Sequence, residues 1–184
     1  GRAAFEQKDW IEACKQFKLY LQKYPDDLAV LEQYCEANMS VRPVDAQHVG
    51  AAIGAYRRLL LRKPADAEIS TKLAKIYYDV GDYGEAAHIC RQRLAVDGND
   101  AEALYRLGRA LNAQTKSAEA AEVLGQLVEK HPDRVKGYAL LSGLALQADT
   151  GGAKDTALDW LNRAVTANPK SSEALAQRAR FQRV

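Results

Sequence analysis

The sequence is poor in the features that mark catalytic, membrane-spanning or disulfide-stabilised proteins. Its 184 residues include only three cysteines, three histidines and one methionine, and the formal net charge is +2. Apolar runs are short: Leu59–Leu61 is bracketed by arginines, and no segment approaches the length of a membrane span. A net charge this low does not indicate a basic surface for binding nucleic acid.

Sequence motifs for chemistry are also lacking. Gly151-Gly152 is not followed by the glycine and lysine of a phosphate-binding loop. The sequence spacing gives His48, His88 and His131 no acidic or thiol partner of the kind that a metal site or a proton relay requires. We therefore expect no enzymatic activity, no catalytic residues, no metal and no cofactor in this segment.

The chain does contain one spacing that recurs from end to end. Three kinds of position repeat with successive separations of 39, 34, 34 and 37 residues. They are an alanine series, a helix-breaking series and a largely apolar series: Ala13, Ala52, Ala86, Ala120 and Ala157; Pro25, Pro64, Gly98, Pro132 and Pro169; Leu31, Ser70, Leu104, Tyr138 and Leu175. A period of 34 residues predicts one supersecondary unit that is copied and stacked.

The copy at 101–134 shows what one unit contains. Asp100 is a plausible N-cap for a first helix that runs from Ala101 to about Gln114. A second helix follows a break at Thr115–Ser117 and ends before Pro132, which cannot continue it. The unit is therefore predicted to be a helix hairpin with one buried seam.

Small residues are expected to set how closely this seam closes. The position of Gly108 is held in the other copies by Cys35, Ala74, Ser142 and Ala179. The facing position of Ala120 is alanine in every copy, so helix axes can approach to about 8 Å. A larger residue at Ala86 or Ala120 would overpack the seam, at a cost of roughly 1–3 kcal/mol.

The pattern resembles the tetratricopeptide repeat (TPR) family. The matching motif residues are Leu104, Leu107, Gly108, Leu111, Ala120, Leu124 and Pro132, and Gly81-Asp82-Tyr83 resembles that family's turn into its second helix. The resemblance implies an all-α fold: a right-handed α-solenoid of stacked antiparallel hairpins, a TPR superhelix, with about eleven helices.

We expect one TPR domain over residues 1–184, and we expect it to be a fragment of a longer protein. The predicted repeats are roughly 1–27 (partial), 28–66, 67–100, 101–134, 135–171 and 172–184 (a partial or capping helix). Gly1 aligns with Gly108, which places the start of the chain inside a first helix. In the last helix, Leu175 and Ala179 are expected to be buried and Arg178 to face solvent.

Two copies carry extra residues between their helices. In the second repeat these residues lie near Val41–Gln47, where Pro43 breaks a helix and Asp45 can cap the next. In the fifth repeat they lie near Asp149–Asp155, where Gly151-Gly152 supplies a turn. Both insertions are expected to be surface loops that leave the stack intact.

The family resemblance implies that the concave face, lined by first helices, binds a peptide or partner segment. We expect a cationic patch, flanked by tyrosines, next to a nearly apolar floor in the fifth repeat, which suits a protein or peptide ligand with acidic character. The candidate groove residues are Lys72, Lys75, Tyr78, Tyr105, Arg106, Arg109, Asn112, Leu140 and Gln147.

The same cations have a purely structural explanation. Glu68 precedes Lys72 by four residues, Glu102 precedes Arg106 by four, and Asp79 follows Lys75 by four, all of which are spacings of helix-stabilising ion pairs. An alternative function is therefore a structural spacer or oligomerisation unit in a larger assembly. An exposed Trp160 would then mark a self-association surface.

Binding of RNA through a related helical repeat would need a regular series of base-reading residues. The equivalent positions are Glu36, Lys75, Arg109, Gly143 and Arg180, which form no such series, so no nucleic-acid partner is expected. The odd number of cysteines predicts reduced core thiols and favours a reducing, cytoplasmic compartment.

Overall fold

The structure, a computed structural model, describes residues 1–148 and 151–182 and is entirely helical over these ranges. Its helices are α1 (Arg2–Glu6), α2 (Trp10–Lys23), α3 (Leu28–Ser40), α4 (Ala46–Arg62), α5 (Ala67–Asp79), α6 (Tyr83–Val96), α7 (Ala101–Ala113), α8 (Ser117–Lys130), α9 (Val135–Gln147), α10 (Ala153–Ala167) and α11 (Ser172–Phe181). Eleven helices in antiparallel succession confirm the predicted all-α hairpin fold. None of these helices has the length and apolar character needed to cross a membrane.

The chain folds into two compact units, Gly1–Val80 and Gly81–Val184. In the first unit, α1 to α5 pack in order, each against the next. In the second unit, α6 to α11 do the same, and α7 and α11 each contact α9 as well. The first helices of the repeats are thus neighbours within the second unit. The single domain expected over residues 1–184 stays a prediction.

Aspartates start most of the helices. In each case a side-chain oxygen accepts a hydrogen bond from the backbone N–H three residues later, which satisfies a donor that has no partner within the helix. These caps are Asp9, Asp27, Asp45, Asp66, Asp82 and Asp100. Ser171 caps α11 in the same way. The hairpin boundaries are therefore fixed by local sequence.

The seam of each hairpin is closed by the small residues that the sequence indicated. Ala13, Ala52, Ala120 and Ala157 are completely buried. A Cβ atom added at Gly108 of α7 would lie 2.5 Å from Leu124 Cγ of α8. A Cβ atom added at Gly1 would meet the ring of Phe17 in the same way, at 2.6 Å, which confirms that the two residues are equivalent.

The insertion in the second repeat is confirmed as an interruption between two helices. Helix α3 ends at Ser40 and α4 begins at Ala46, with Asp45 as its cap. In the fifth repeat, Asp149 and Thr150 lie outside the described residues. Contrary to the expectation of a loop reaching Asp155, α10 already begins at Ala153, because Gly152 adopts a left-handed backbone (φ 101°) directly before it.

The last helix differs from the prediction. Leu175 is 41% exposed, and Ala179 is exposed as well, although both were expected to be buried. Arg178, expected to face solvent, is half-buried. Helices α9 and α10 pack against α11, and their packing covers Ala174 rather than Leu175.

Gly108→Ala is expected to destabilise the protein by roughly 1–3 kcal/mol, because the new methyl group overlaps the fully buried Leu124. The measurement is the free energy of unfolding from urea denaturation. Gly125→Ala is the matched control, because a Cβ atom at this α8 position meets nothing within 4 Å. It should stabilise α8 by about 0.5–1 kcal/mol. Equal effects of the two substitutions would contradict the close seam.

Asp100→Asn isolates the ion pair of a half-buried cap. Arg93 Nε donates to Asp100 Oδ2 at 2.7 Å, and the two side chains are 13% and 14% exposed. Burial alone would raise the pKa of Asp100, but hydrogen bonds from the Arg93 side chain and the Ala103 N–H outweigh it and hold this pKa below its ordinary value. Asparagine can still cap α7. The free energy of unfolding should therefore fall by about 1–2 kcal/mol, and this decrease measures the loss of the ion pair with Arg93.

The pH dependence of the same variant follows from the direction of the shift. A carboxyl whose pKa is lowered by folding stabilises the native state above its unfolded pKa, about 3.9, and this stability is lost as the pH falls through the folded pKa. The stability gap between the wild type and Asp100→Asn, measured by thermal unfolding, should therefore be full near neutral pH and narrow in acid. A gap that stays constant from neutral to acid pH would contradict this account of the pair.

Candidate functional site

The predicted groove residues are divided between the two units. Lys72, Lys75 and Tyr78 lie on α5 in the first unit, and Tyr105, Arg106, Arg109, Asn112, Leu140 and Gln147 lie on α7 and α9 in the second. Within the second unit α7 and α9 are in contact, so the structure brings these two first helices side by side. A continuous patch that includes α5 remains a prediction.

The lysines on α5 are engaged within their own helix. Lys72 Nζ lies 2.6 Å from Glu68 Oε1, and Lys75 Nζ lies 2.5 Å from Asp79 Oδ2. The hydrogen bond to Glu68 is the largest cause that raises the pKa of Lys72. Both ammonium groups remain partly exposed, so each presents a charge that is already half compensated.

The arginines on α7 differ from each other. Arg106 is only 20% exposed and donates to Glu102 Oε1 at 2.7 Å, while its Nε is buried and has no hydrogen-bond partner among the described residues. Arg106 is therefore largely committed to its own helix. The Arg109 guanidinium lies 5.7 Å from the centre of the Tyr105 ring, a cation–π geometry. Arg109 and Arg106 are both half-buried, and the Arg109 guanidinium lies beside an aromatic ring.

The α9 side of this face is largely apolar. Leu140 is half-buried, Gln147 is exposed, and a Cβ atom added at Gly143 would meet nothing within 4 Å. Leu146, which the candidate set did not include, is 44% exposed. The face formed by α7 and α9 therefore combines a cation, an aromatic ring and aliphatic surface.

Analysis of the sequence missed a depression in the first unit. It has a volume of about 390 Å³ and lies between α3 and α5, with Tyr56 and Leu59 of α4 also in its wall. Its charged lining residues are Glu32, Glu36, Asp66, Glu68 and Lys72. The spacing of Glu32 and Glu36, four residues apart on one helix, was the available signal. Lys72 thus lies in predominantly acidic surroundings.

One of the histidines has a partner that the sequence analysis did not recognise. His48 Nδ1 lies 2.6 Å from Asp45 Oδ2, within the N-terminal cap of α4. The expectation that His48 lacks an acidic partner was wrong, because capping turns the Asp45 side chain back towards the third residue of the helix. His131 Nε2 lies 2.7 Å from the backbone oxygen of Asn99. Both contacts stabilise helix ends.

The two tryptophans pack within the chain. Trp10 contacts Phe5 edge-on, with ring centres 5.4 Å apart. Trp160 is half-buried beside Tyr138, and the Arg163 guanidinium lies 4.1 Å from the centre of its ring. One face of the Trp160 ring, which was expected to mark a self-association surface, is therefore covered by Arg163.

The thiols are buried and free, as predicted. Burial raises the pKa of Cys14 to about 11 and the pKa values of Cys35 and Cys90 to about 12. These thiols are therefore protonated near neutral pH and are weak nucleophiles. Among residues 1–148 and 151–182, no group of three or more His, Cys, Asp or Glu side chains is placed to hold a metal ion.

Comparison with known protein families agrees with this geometry. Three tetratricopeptide repeat family models match the chain, over residues 1–27, 44–95 and 78–144. The chain belongs to the tetratricopeptide repeat family. Of the curated proteins, the human protein O-mannosyl-transferase TMTC1 is similar, with 26% identity over 122 residues. That match includes 66% of this chain but only 13% of the TMTC1 sequence.

Solved structures of TPR proteins superimpose on the chain at low sequence identity. MamA (41-end) from Desulfovibrio magneticus RS-1 is 17% identical with a TM-score of 0.71, over 93% of this chain and 92% of that one. YrrB, whose structure is described as a TPR protein with an unusual peptide-binding site, is 13% identical with a TM-score of 0.70, over 97% and 88% of the two chains. Such likeness shows the fold: a TPR solenoid.

Proposed function

We propose that the chain is a non-catalytic protein-interaction module that binds a peptide or partner segment along the exposed faces of its first helices. Membership of the TPR family supports an interaction role, and the description of YrrB records a peptide-binding site on this fold. The buried, protonated thiols and the helix-end histidines offer no evident reaction centre among the described residues.

The observation that carries the proposal is the face formed by α7 and α9. Hairpin packing buries Leu104, Leu107 and Leu111 of α7 almost completely. It leaves Tyr105 and Arg109 of the same helix half-buried, on a different stripe. Large side chains that are only half covered can bury further area against a partner without any rearrangement of the core.

The chemistry of this face fits a ligand that is acidic in one part and apolar in the next. The Arg109 guanidinium can donate two parallel hydrogen bonds to a carboxylate, and the Tyr105 ring beneath it holds the cation in place. Leu140 and Leu146 on the adjacent α9 offer apolar contact. The proposed ligand contacts are the nine predicted residues, three in the first unit and six in the second: Lys72, Lys75, Tyr78, Tyr105, Arg106, Arg109, Asn112, Leu140 and Gln147.

The test is affinity capture from a lysate of the source organism with the wild-type chain and the Lys75→Glu, Arg109→Glu variant. Charge reversal on the first helices should abolish capture of groove-directed partners and should remove the salt sensitivity of their binding. Lys18→Glu, Lys154→Glu is the matched control, because it makes the same change of charge at exposed positions on second helices. Partners retained equally by all three chains would reject this groove.

A second candidate function, self-association within a larger assembly, is supported by the end of the second unit. Leu175 of α11 is 41% exposed, although its equivalents Leu31 and Leu104 are buried. The exposed Leu175 side chain offers an apolar contact for a further copy of the chain.

Leu175→Glu should lower the sedimentation coefficient at high protein concentration if this surface mediates association. Trp160→Ala should have a smaller effect, because Arg163 already covers one face of that ring. Sedimentation velocity over a concentration series measures both variants. A wild-type chain that remains monomeric throughout the series would eliminate the second candidate.

A further inference from the structure

The depression between α3 and α5, which we call the α3–α5 pocket, lies wholly within the first unit. Its wall combines buried apolar side chains, Tyr56, Leu59 and Ile69, with polar groups of both first helices. A volume of about 390 Å³ is at the lower end of the range, roughly 300–1,000 Å³, that small-ligand sites occupy. The pocket has room for one long side chain with its flanking backbone.

The charges around the pocket are strongly unequal. Four carboxylates line it, from Glu32, Glu36, Asp66 and Glu68, against one ammonium group, that of Lys72. Lys63 compensates Glu32 at 2.7 Å, and Lys72 compensates Glu68 at 2.6 Å. Glu36 makes no hydrogen bond or ion pair with any residue that the structure describes, and its charge acts on Lys72 only through space, where it raises the pKa of that ammonium group.

A second, independent feature of the pocket is an acceptor that lacks a donor. Gln33 lines the pocket, and its Oε1 is buried without a hydrogen-bond partner among the described residues. A buried acceptor without a donor destabilises the folded state, because its lost hydration is not replaced by a hydrogen bond. Because Gln33 Oε1 is buried, a donor from solvent reaches it only when the Gln33 side chain turns towards the pocket, whereas an incoming carboxylate would leave it unpaired in any orientation.

We infer that the α3–α5 pocket takes the cationic end of an arginine or lysine side chain in a peptide bound along the first helices. The cationic head meets Glu36 and supplies a donor to Gln33 Oε1, and its aliphatic stem packs against Ile69 and Tyr56. The inference rests on the proposed function, since it specifies the ligand chemistry at one part of the same surface.

The electrostatic field in the pocket has the required sign. Burial is the largest cause that raises the pKa of Tyr56, and the carboxylates of Glu36, Glu68 and Glu32 raise it further. Lys63 compensates Glu32 and Lys72 compensates Glu68, so the uncompensated negative charge at the pocket comes from Glu36 and Asp66, and it favours a cation over a carboxylate. The first unit thus differs in ligand preference from the cationic face of α7 and α9 in the second.

The experiment is an amide chemical-shift titration of the full, isotopically labelled chain with two acetylated peptide amides. One is tetra-arginine, and the other is tetra-citrulline, which has nearly the same shape without the charge. The arginine peptide should shift amides of α3 and α5 around the pocket in a saturable manner, and the citrulline peptide should not. Glu32→Gln, Glu36→Gln should weaken the dissociation constant by about 3- to 10-fold at low ionic strength.

Glu122→Gln, Glu129→Gln is the matched control, since it removes two exposed carboxylates from α8 of the second unit, and it should bind like the wild type. Equal weakening by the two double variants, equal binding of the two peptides, or saturable shifts confined to residues outside 29–72 would each overturn the inference.

An array of random octapeptides separates this inference from the proposed function. The inference is supported if arginine or lysine is enriched among the octapeptides that bind the first helices. The same octapeptides should bind the Glu32→Gln, Glu36→Gln variant more weakly. If the bound octapeptides show no enrichment in arginine or lysine, the inference fails and peptide binding stands. If none binds the first helices, both fail.

Discussion

The close approach of two helices at a position without a side chain is the constraint on which the rest of this structure depends. At Gly108 the backbone of α7 lies so near to Leu124 of α8 that a single methyl group would overlap it. The alanines of the other hairpins, buried to the same degree, allow a similar contact. Because the seam takes up one stripe of every first helix, the neighbouring stripe is left partly exposed, and the candidate binding surfaces lie there.

The exposed stripes differ in chemistry between the two units. On α7 and α9 a cation supported by an aromatic ring lies next to aliphatic side chains. On α3 and α5 carboxylates surround a pocket with an apolar wall. Ion pairs within the helices hold Lys72, Lys75 and Arg106 to their own helices, so the residues left for recognition are fewer than the number of charges suggests. A segment that contacts both faces would need different side chains at each.

The low sequence identity to solved TPR structures has a physical explanation, because seam and cap positions are constrained and exposed positions are not. Seam positions must be small, and cap positions must accept a hydrogen bond, so they allow few residue types. Exposed stripe positions contact little within the chain and can carry almost any side chain. A TM-score of about 0.7 at 13–17% identity is what such a fold produces. The fold therefore persists at low identity, whereas the surface residues that would contact a ligand need not be shared by the relatives.

The sequence by itself determined the repeat period, the hairpin boundaries and the seam, because these depend on local signals. Proline ends a helix, aspartate starts one, and a small residue recurs wherever two helices touch. The spacing of charges also predicted the ion pairs within single helices, whereas only the tertiary structure decided which charged groups share a pocket and which pair between helices, as Lys63 and Glu32 do. The exposure of Leu175, the position of Lys72 among carboxylates and the buried Gln33 Oε1 depend on which helices pack beside each residue. The spacing of residues along one helix predicts contacts within that helix, but it does not predict which side chains of other repeats pack beside it.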